Sequence, residues 1–454
     1  MPSATQLLGT YIADTNFDRL PAEVIREAKR RIADVIGIGL SGSRTPAAGI
    51  EKFCLAHGGP GAATIWGRGV KTSPAYAALA NGTMTFHLEL DDVHRTSHTH
   101  PGVSCIPLAL ALCEDRKLTG RDLITATVIG YDASIRVGLA VSPSIYVDRT
   151  FLAPGTLSIF GAAASAAKLL NLDAETAGQA LAAAAYYGPL ACYESFRLGA
   201  GIKDMIMGWG NLAGLYAVEL AALGFGGPAT ALEGDFGFYK TTSARFDPER
   251  LKHRLGTYYE IMFTGIKPYA CCRQHHAAID CLLEIRNQHN VTLGEVERVR
   301  VRTFTVSSRG NQKHPTTVAG AKYSIPYILA VTLKYGQAWR EQFTEKLIAD
   351  QELLNFAASV EVEADAELDK LYDEKWPSIV EVALKDGREL SARRDLPKGE
   401  PEFPCSDDDL KTKFLSLAGD ALSARQAGTL WDCLGDLENL RDLEELSKMI
   451  NQPA

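Results

Sequence analysis

Cysteine is scarce in this chain of 454 residues: there are nine, an odd number, and no CxxC pairing repeats. Neither a disulfide framework nor a cysteine-rich structural zinc site is expected, and a reducing, cytoplasmic setting fits. Long hydrophobic runs are also missing. None approaches the roughly 20 apolar residues that cross a bilayer, so no membrane partner is expected. The N-terminal stretch MPSATQLLGTYIADTNF lacks the basic end of an export signal and carries one acid, Asp14. An excess of positive charge is absent too, with 47 Lys and Arg against 55 Asp and Glu and a net charge of -8. That balance excludes the usual electrostatics of a nucleic-acid partner, which needs concentrated Lys and Arg against phosphate.

What is present describes a globular enzyme: 46% hydrophobic and 22% charged residues, in a chain long enough for about two domains. The first half has helical periodicity. In PAEVIREAKRRIADVIGIGL the apolar positions Val24, Ala28, Ile32, Val35 and Ile36 fall at helical spacing behind Pro21. Residues 122–140, 157–170 and 206–224 are apolar and rich in Ala, Gly and Ser, as in buried helices whose axes approach closely. After about residue 265 the pattern changes. VERVRVRTF (296–304) alternates like a half-buried strand, and 377–395 alternates on both sides of Asp386-Gly387, a pair suited to a two-residue hairpin. Residues 359–365 add a strand and 323–336 a helix. The expected fold is mainly α: a helical domain over 1–265, an α+β domain over 266–400, and C-terminal helices over 401–454 that return to the helical domain.

Histidine is sparse as well, yet six of the ten are concentrated in two polar runs: HLELDDVHRTSHTHPG (87–102) and KPYACCRQHHAAID (267–280). In the first, Asp91 and Asp92 precede His94, His98 and His100. Three uses suit that pattern: ligation of a divalent metal, helix capping by satisfied polar groups, or acid/base chemistry by an imidazole oriented by a carboxylate. In the second, Lys267, Arg273, His275 and His276 form a cationic group suited to several carboxylates, or a solvated basic turn. The vicinal Cys271 and Cys272 fit packing better than nucleophilic catalysis. Lys203 opens a glycine-punctuated helix, where partial desolvation would favour loss of its proton. The glycines that follow match neither a dinucleotide fingerprint nor a phosphate loop, so no nucleotide cofactor is expected.

With these residues identified, the chain resembles the MmgE/PrpD family, whose members include 2-methylcitrate dehydratase, cis-aconitate decarboxylase and iminodisuccinate epimerase. The resemblance covers nearly the whole chain and is most specific at ALANGTMTFHLELDDVHRTSHTHPGVSCIPLALAL (78–112), the Lys203 to Gly214 stretch, IKPYACCRQHHAAID (266–280) and AKYSIPYILA (321–330). It implies a large all-helical domain made from both chain ends, a smaller inserted α+β domain, a cleft between them, a homodimer, and no metal or organic cofactor. It also places His100, Lys203 and His276 in the cleft, with Asp91 and Asp92 beside it.

The sequence departs from the decarboxylase branch at three points. Glu89 stands where that branch has aspartate, Val93 where it has threonine, and Leu152 near the place of a further active-site histidine. Tyr146, Asp148 and Arg149 are the nearest polar groups there. The resemblance is greatest to the epimerase branch, which implies proton abstraction beside a carboxylate of a polycarboxylate such as iminodisuccinate. In that reading Lys203 and Tyr146 are opposed acid/base groups assisted by His100, while His98, Arg149, Lys267, Arg273 and His276 hold carboxylates. A 2-methylcitrate-like dehydratase and, from another class, a metal-dependent hydrolase are the alternatives.

Overall fold

The computed structural model describes residues 2–197 and 199–452, with Arg197 described by its backbone alone. The architecture is mainly α with one small mixed sheet. Helix α1 (Ala22–Gly42) buries Val24, Ala28, Ile32, Val35 and Ile36, the positions its periodicity marks. Against it lie α2 (Pro74–His87), α3 (Pro101–Arg116) and α4 (Gly120–Val141), and on these pack α5 (Ala153–Leu169) and α6 (Ile202–Ala222). Local chemistry sets the ends. Pro74 and Pro101 occupy first turns, and a reciprocal Thr119–Asp122 capping box opens α4. Glycine allows the tight crossings: an added Cβ at Gly208 would collide with the Leu79 carbonyl, and one at Gly210 with the Ser158 hydroxyl.

The structure corrects one reading of the apolar runs. Helix α4 is long and apolar enough, by length and composition, to cross a membrane. However, 94% of its most apolar 18-residue window is buried inside the protein, and it carries the buried polar groups Asp132 and Arg136. It is the central core helix of the helical layer, and its apolar length reflects being covered on all sides.

Farther along, α7 (His276–His289) and α8 (Ile325–Tyr335) pack on a four-stranded sheet. Its strands are β1 (Val296–Thr303), β2 (Val360–Ala364), β3 (Ser378–Leu384) and β4 (Glu389–Arg394), in the order β2-β1-β3-β4. β1 and β2 are parallel, while the other neighbours are antiparallel. Val299, Val301, Val380 and Val382 face the helices and are buried, while Arg300 and Arg302 on the other face pair with Glu363 and Asp365. The β3–β4 hairpin differs from the expected two-residue turn. The Leu384 N–H bonds the Arg388 carbonyl across Lys385, Asp386 and Gly387, with Gly387 at φ 90°, so the loop has three residues and a left-handed last position.

The chain then returns. Helices α9 (Asp407–Ala418), α10 (Ala424–Gly435) and α11 (Glu444–Ile450) join the core of α1 and α4, and Lys413 of α9 pairs with buried Asp34 of α1 at 2.8 Å.

Candidate active site

The link between α2 and α3 carries the first histidine run. It is pinned at both ends: Val93 exchanges backbone hydrogen bonds with Gly265, and the His94 N–H bonds the Thr99 carbonyl. Glu89 and His98 both have positive φ, 57° and 55°. Such conformations are costly for side-chain-bearing residues and concentrate at functional sites. His100 ends the link at the N-cap of α3.

A cavity of about 60 Å³ opens between this link and the segment leading into α7. Glu89, Val93, His98 and His100 line it from the link, and Tyr146, Leu152, Pro154 and Phe196 from the helical side. Lys267, Cys272, Arg273, Gln274 and Trp376 complete it.

His100 is set up as a base. Its Nδ1 lies 2.5 Å from the Asp91 carboxylate, and its ring meets Phe86 edge-on at 5.3 Å. Burial opposes ionisation of Asp91, yet the His100 ring and Lys267 outweigh it and hold the carboxyl below its usual range. An ionised Asp91 only accepts, so a proton sits on Nδ1, and Nε2 is the ring nitrogen that Asp91 does not hold.

Lys203 takes a different position from the one expected. Its ammonium is paired with the Glu89 carboxylate, lies 4.3 Å from the Phe86 ring centre, and does not line the cavity. Tyr323 donates to the same Glu89 oxygen, and Lys267 reaches the other at 3.2 Å. Burial works against the Glu89 charge, but Lys203, Lys267 and His100 together hold its carboxyl well below the usual range. Lys203 is therefore a positioning residue for Glu89, one layer behind the cavity. Lys267 lines the cavity, fully buried. Burial disfavours its charge, and Glu89 and Asp91 raise its pKa regardless.

The second run divides. Arg273 lines the cavity, but its Nε and Nη2 bind Glu400 at 3.0 and 2.7 Å, and its Nη1 reaches His276 and the Lys398 carbonyl. His276 is fully buried away from the cavity, with Nδ1 2.8 Å from Arg273 and Nε2 3.2 Å from the Cys271 carbonyl. Burial and the neighbouring Arg273 and Lys267 push its pKa well below the ordinary value, so the ring is neutral and both nitrogens are used. It accepts from Arg273 and does not line the cavity, whereas a carboxylate-holding place in the cleft was expected of it. His275 is likewise buried, against Ser307, with its pKa pushed down to about 4 by burial.

Two further expectations are corrected. Asp92 points into the helical body, where it accepts from the Tyr131 hydroxyl and the Gly102 N–H; burial raises its pKa to about 6. Arg149 is exposed and does not line the cavity. His98 and Tyr146 line the cavity. The His98 Nε2 is 2.7 Å from the Tyr372 hydroxyl, its ring stacks on Tyr146 at 5.8 Å, and burial lowers its pKa to about 4. Burial, with Tyr193 nearby, holds the Tyr146 phenol well above its ordinary value, so it stays protonated at neutral pH.

The HxH pair is not arranged as a chelate, since His98 turns to Tyr372 and His100 to Asp91. Among the described residues no group of three His, Cys, Asp or Glu side chains is placed to hold a metal.

Sequence reasoning missed Tyr323, Lys322, Glu400 and Trp376. The Lys322 ammonium donates to the His87 carbonyl, and burial lowers its pKa to about 8. Tyr323 and Lys322 lie in the AKYSIPYILA stretch, so a signal existed. Glu400 and Trp376 sit in polar connections with none.

Comparison with known proteins finds relatives along nearly the whole chain. The cis-aconitate decarboxylase of Aspergillus terreus is 25% identical over 96% of this chain and 94% of its own. Those of Homo sapiens and Mus musculus are 26% and 25% identical, over the whole of this chain and 96% and 94% of theirs. Residues 6–251 match the MmgE/PrpD N-terminal domain, and residues 269–436 match the MmgE/PrpD C-terminal domain. The first match alone spans more than half of the chain and the second takes in the sheet, so this protein belongs to the MmgE/PrpD family.

Proposed function

We propose that this protein is a cofactor-independent epimerase that inverts a carbon beside a carboxylate of a polycarboxylate such as iminodisuccinate. The observation that carries the reading is the His100–Asp91 pair, which leaves Nε2 unheld by Asp91 beside a cavity that Tyr146, protonated at neutral pH, also lines. In this mechanism the C–H bond breaks as Nε2 takes the proton, and its electron pair delocalises into the adjacent carboxylate. The Tyr146 O–H then breaks as a new C–H bond forms on the opposite face. The imidazolium and phenolate are reset by proton exchange with solvent. No electron changes hands, so proton transfer and fixed charge are sufficient.

The relatives named above are decarboxylases, and two cavity residues argue for a different outcome here. Val93 and Leu152 are apolar, at positions where the decarboxylase branch is expected to carry threonine and histidine. Tyr146 also supports a second reading, dehydration, because a neutral phenol can protonate a departing hydroxyl. Reaction in deuterated water separates the outcomes. Epimerisation places solvent deuterium on the inverted carbon with no release of water or CO2. An unsaturated product from 2-methylcitrate, with no inversion of any aminopolycarboxylate, would replace the proposal with the dehydratase.

A homodimer is part of the same proposal. Along α6 and its C-cap, Ile202, Trp209, Tyr216 and Leu223 are exposed at seven-residue spacing, and Tyr186, Tyr187 and Leu190 are exposed nearby in sequence. An apolar stripe of this kind suits a second copy of the chain. Light scattering should report twice the chain mass, and Trp209→Glu should shift it toward a single chain.

A further inference from the structure

The link between α2 and α3 lines a second cavity with its other residues. His94, Arg95 and Thr96 border a space of about 490 Å³ that shares no lining residue with the candidate active site. Glu260, Arg250, Tyr258 and Phe263 form much of the remaining wall.

Two groups of this wall are buried without a hydrogen-bond partner among the described residues. Glu260 is 4% exposed and His94 5%. The Ser97 N–H donates to the His94 Nδ1 at 3.2 Å, which puts the ring proton on Nε2. Burial, with Arg95 and His98, lowers the His94 pKa to about 3, so the ring stays neutral. Its Nε2 meets a Glu260 oxygen at 3.9 Å, beyond hydrogen-bond reach. The other Glu260 oxygen meets Arg136 at 3.7 Å, again too far. Buried polar groups in this condition are costly unless something in the cavity completes them.

The surrounding charge selects what completes them. Arg136 is fully buried behind the wall, with its two Nη atoms on the His253 and Tyr258 carbonyls. Glu402, the other acid lining the cavity, is taken by Arg95 at 2.9 Å, and Arg250 has a loose pair with Asp247 at 3.5 Å. Asp132 is occupied by the Tyr11 hydroxyl and the Glu260 N–H. Among these guanidinium groups a cationic ligand is disfavoured and an anion is favoured. Burial raises the Glu260 carboxyl to about 7 against the pull of Arg136 and Arg250, so it takes up a proton near neutral pH at little cost and then donates. Phe263 is 40% exposed and stacks on Tyr258 at 4.4 Å with 8° between the rings, which adds a flat apolar surface.

From this we infer that the second cavity binds an organic carboxylate with a flat apolar body, whose oxygens join His94 Nε2 to Glu260 while the body lies against Phe263. The site is separate from the proposed epimerase chemistry and does not depend on it.

Benzoate is the probe, with benzylammonium as its cationic counterpart, each titrated calorimetrically at about pH 6 and about pH 8. The wild type should bind benzoate about tenfold tighter at the lower pH, because a ligand that needs Glu260 protonated gains affinity as pH falls through about 7. Glu260→Gln carries a fixed donor and no charge, so it should keep the tighter affinity within about threefold at both pH values. Phe263→Ala should weaken benzoate about threefold or more at either pH. Tighter binding of benzylammonium than of benzoate, no binding of benzoate at the lower pH, or unchanged affinity in Phe263→Ala would overturn the inference. A pH dependence that survives Glu260→Gln would assign it to the exposed His253 ring and overturn it equally. If Glu260→Gln does not fold, the wild-type pH dependence and Phe263→Ala decide.

Discussion

The two histidine runs are both rich in titratable groups, the first carrying an acidic pair and the second cations, and their histidines have different fates. In the run from His87 to His100, the link between α2 and α3 presents Glu89, His98 and His100 to the cavity, and Asp91 takes only the Nδ1 of His100. In the run from Lys267 to His276, both nitrogens of His276 are used inside the protein, and the Arg273 fork is held by Glu400 and His276. A cluster of titratable groups in sequence thus marks a site, but the share of it that faces substrate depends on which polar atoms the fold has already satisfied.

Lys203→Met tests the layer behind both runs and should have the largest effect. Removing the ammonium leaves Glu89 buried with an unmatched share of charge, a loss of about 3–5 kcal/mol of stability, together with most of the activity. Urea unfolding of the variant measures it; an unchanged midpoint would mean that the ion pair is not part of the scaffold.

His100→Asn and His276→Leu then set one run against the other. The first should lower turnover about a hundredfold or more with little change in stability. The second should cost about 1–3 kcal/mol by leaving an Arg273 N–H without its acceptor, and its kinetic effect should fall mainly on substrate affinity. If the two variants behave alike in turnover and thermal unfolding, the contrast between the runs fails.

Tyr146→Phe should lower inversion by about tenfold or more while exchange of the substrate α-hydrogen persists, because His100 still abstracts. Equal loss of both in a deuterium wash-in assay would remove Tyr146 as the second proton carrier.

The smallest effect is one of pH. Burial lowers His98 and His275 to about 4, below the ordinary histidine value, so each contributes stability that is full above about pH 6.5 and lost as pH falls through 4. Burial raises Asp92 to about 6 and Glu260 to about 7; these bind protons in the folded state over the same window and offset part of the loss. Nitrogen-detected NMR should show neither histidine titrating between pH 5.5 and 8. A midpoint near 6.5 for either ring would mean that it is solvated.

The sequence by itself determined the local elements and the neighbourhood of the site. The apolar spacing of α1, the alternation of β1 and β3 and the glycines of α6 are all local patterns, because helix and strand periods repeat within a few residues. The departures at Glu89, Val93 and Leu152 were legible as well, and all three line the cavity. Only the tertiary structure decided what each polar atom does. Lys203 is taken up by Glu89, 114 positions away, and Arg273 by Glu400, 127 positions away. The sequence holds no periodic signal for such partners. Burial forces every charge to find a partner among whatever segments the fold brings together, and that pairing takes one nitrogen of His100 and both of His276.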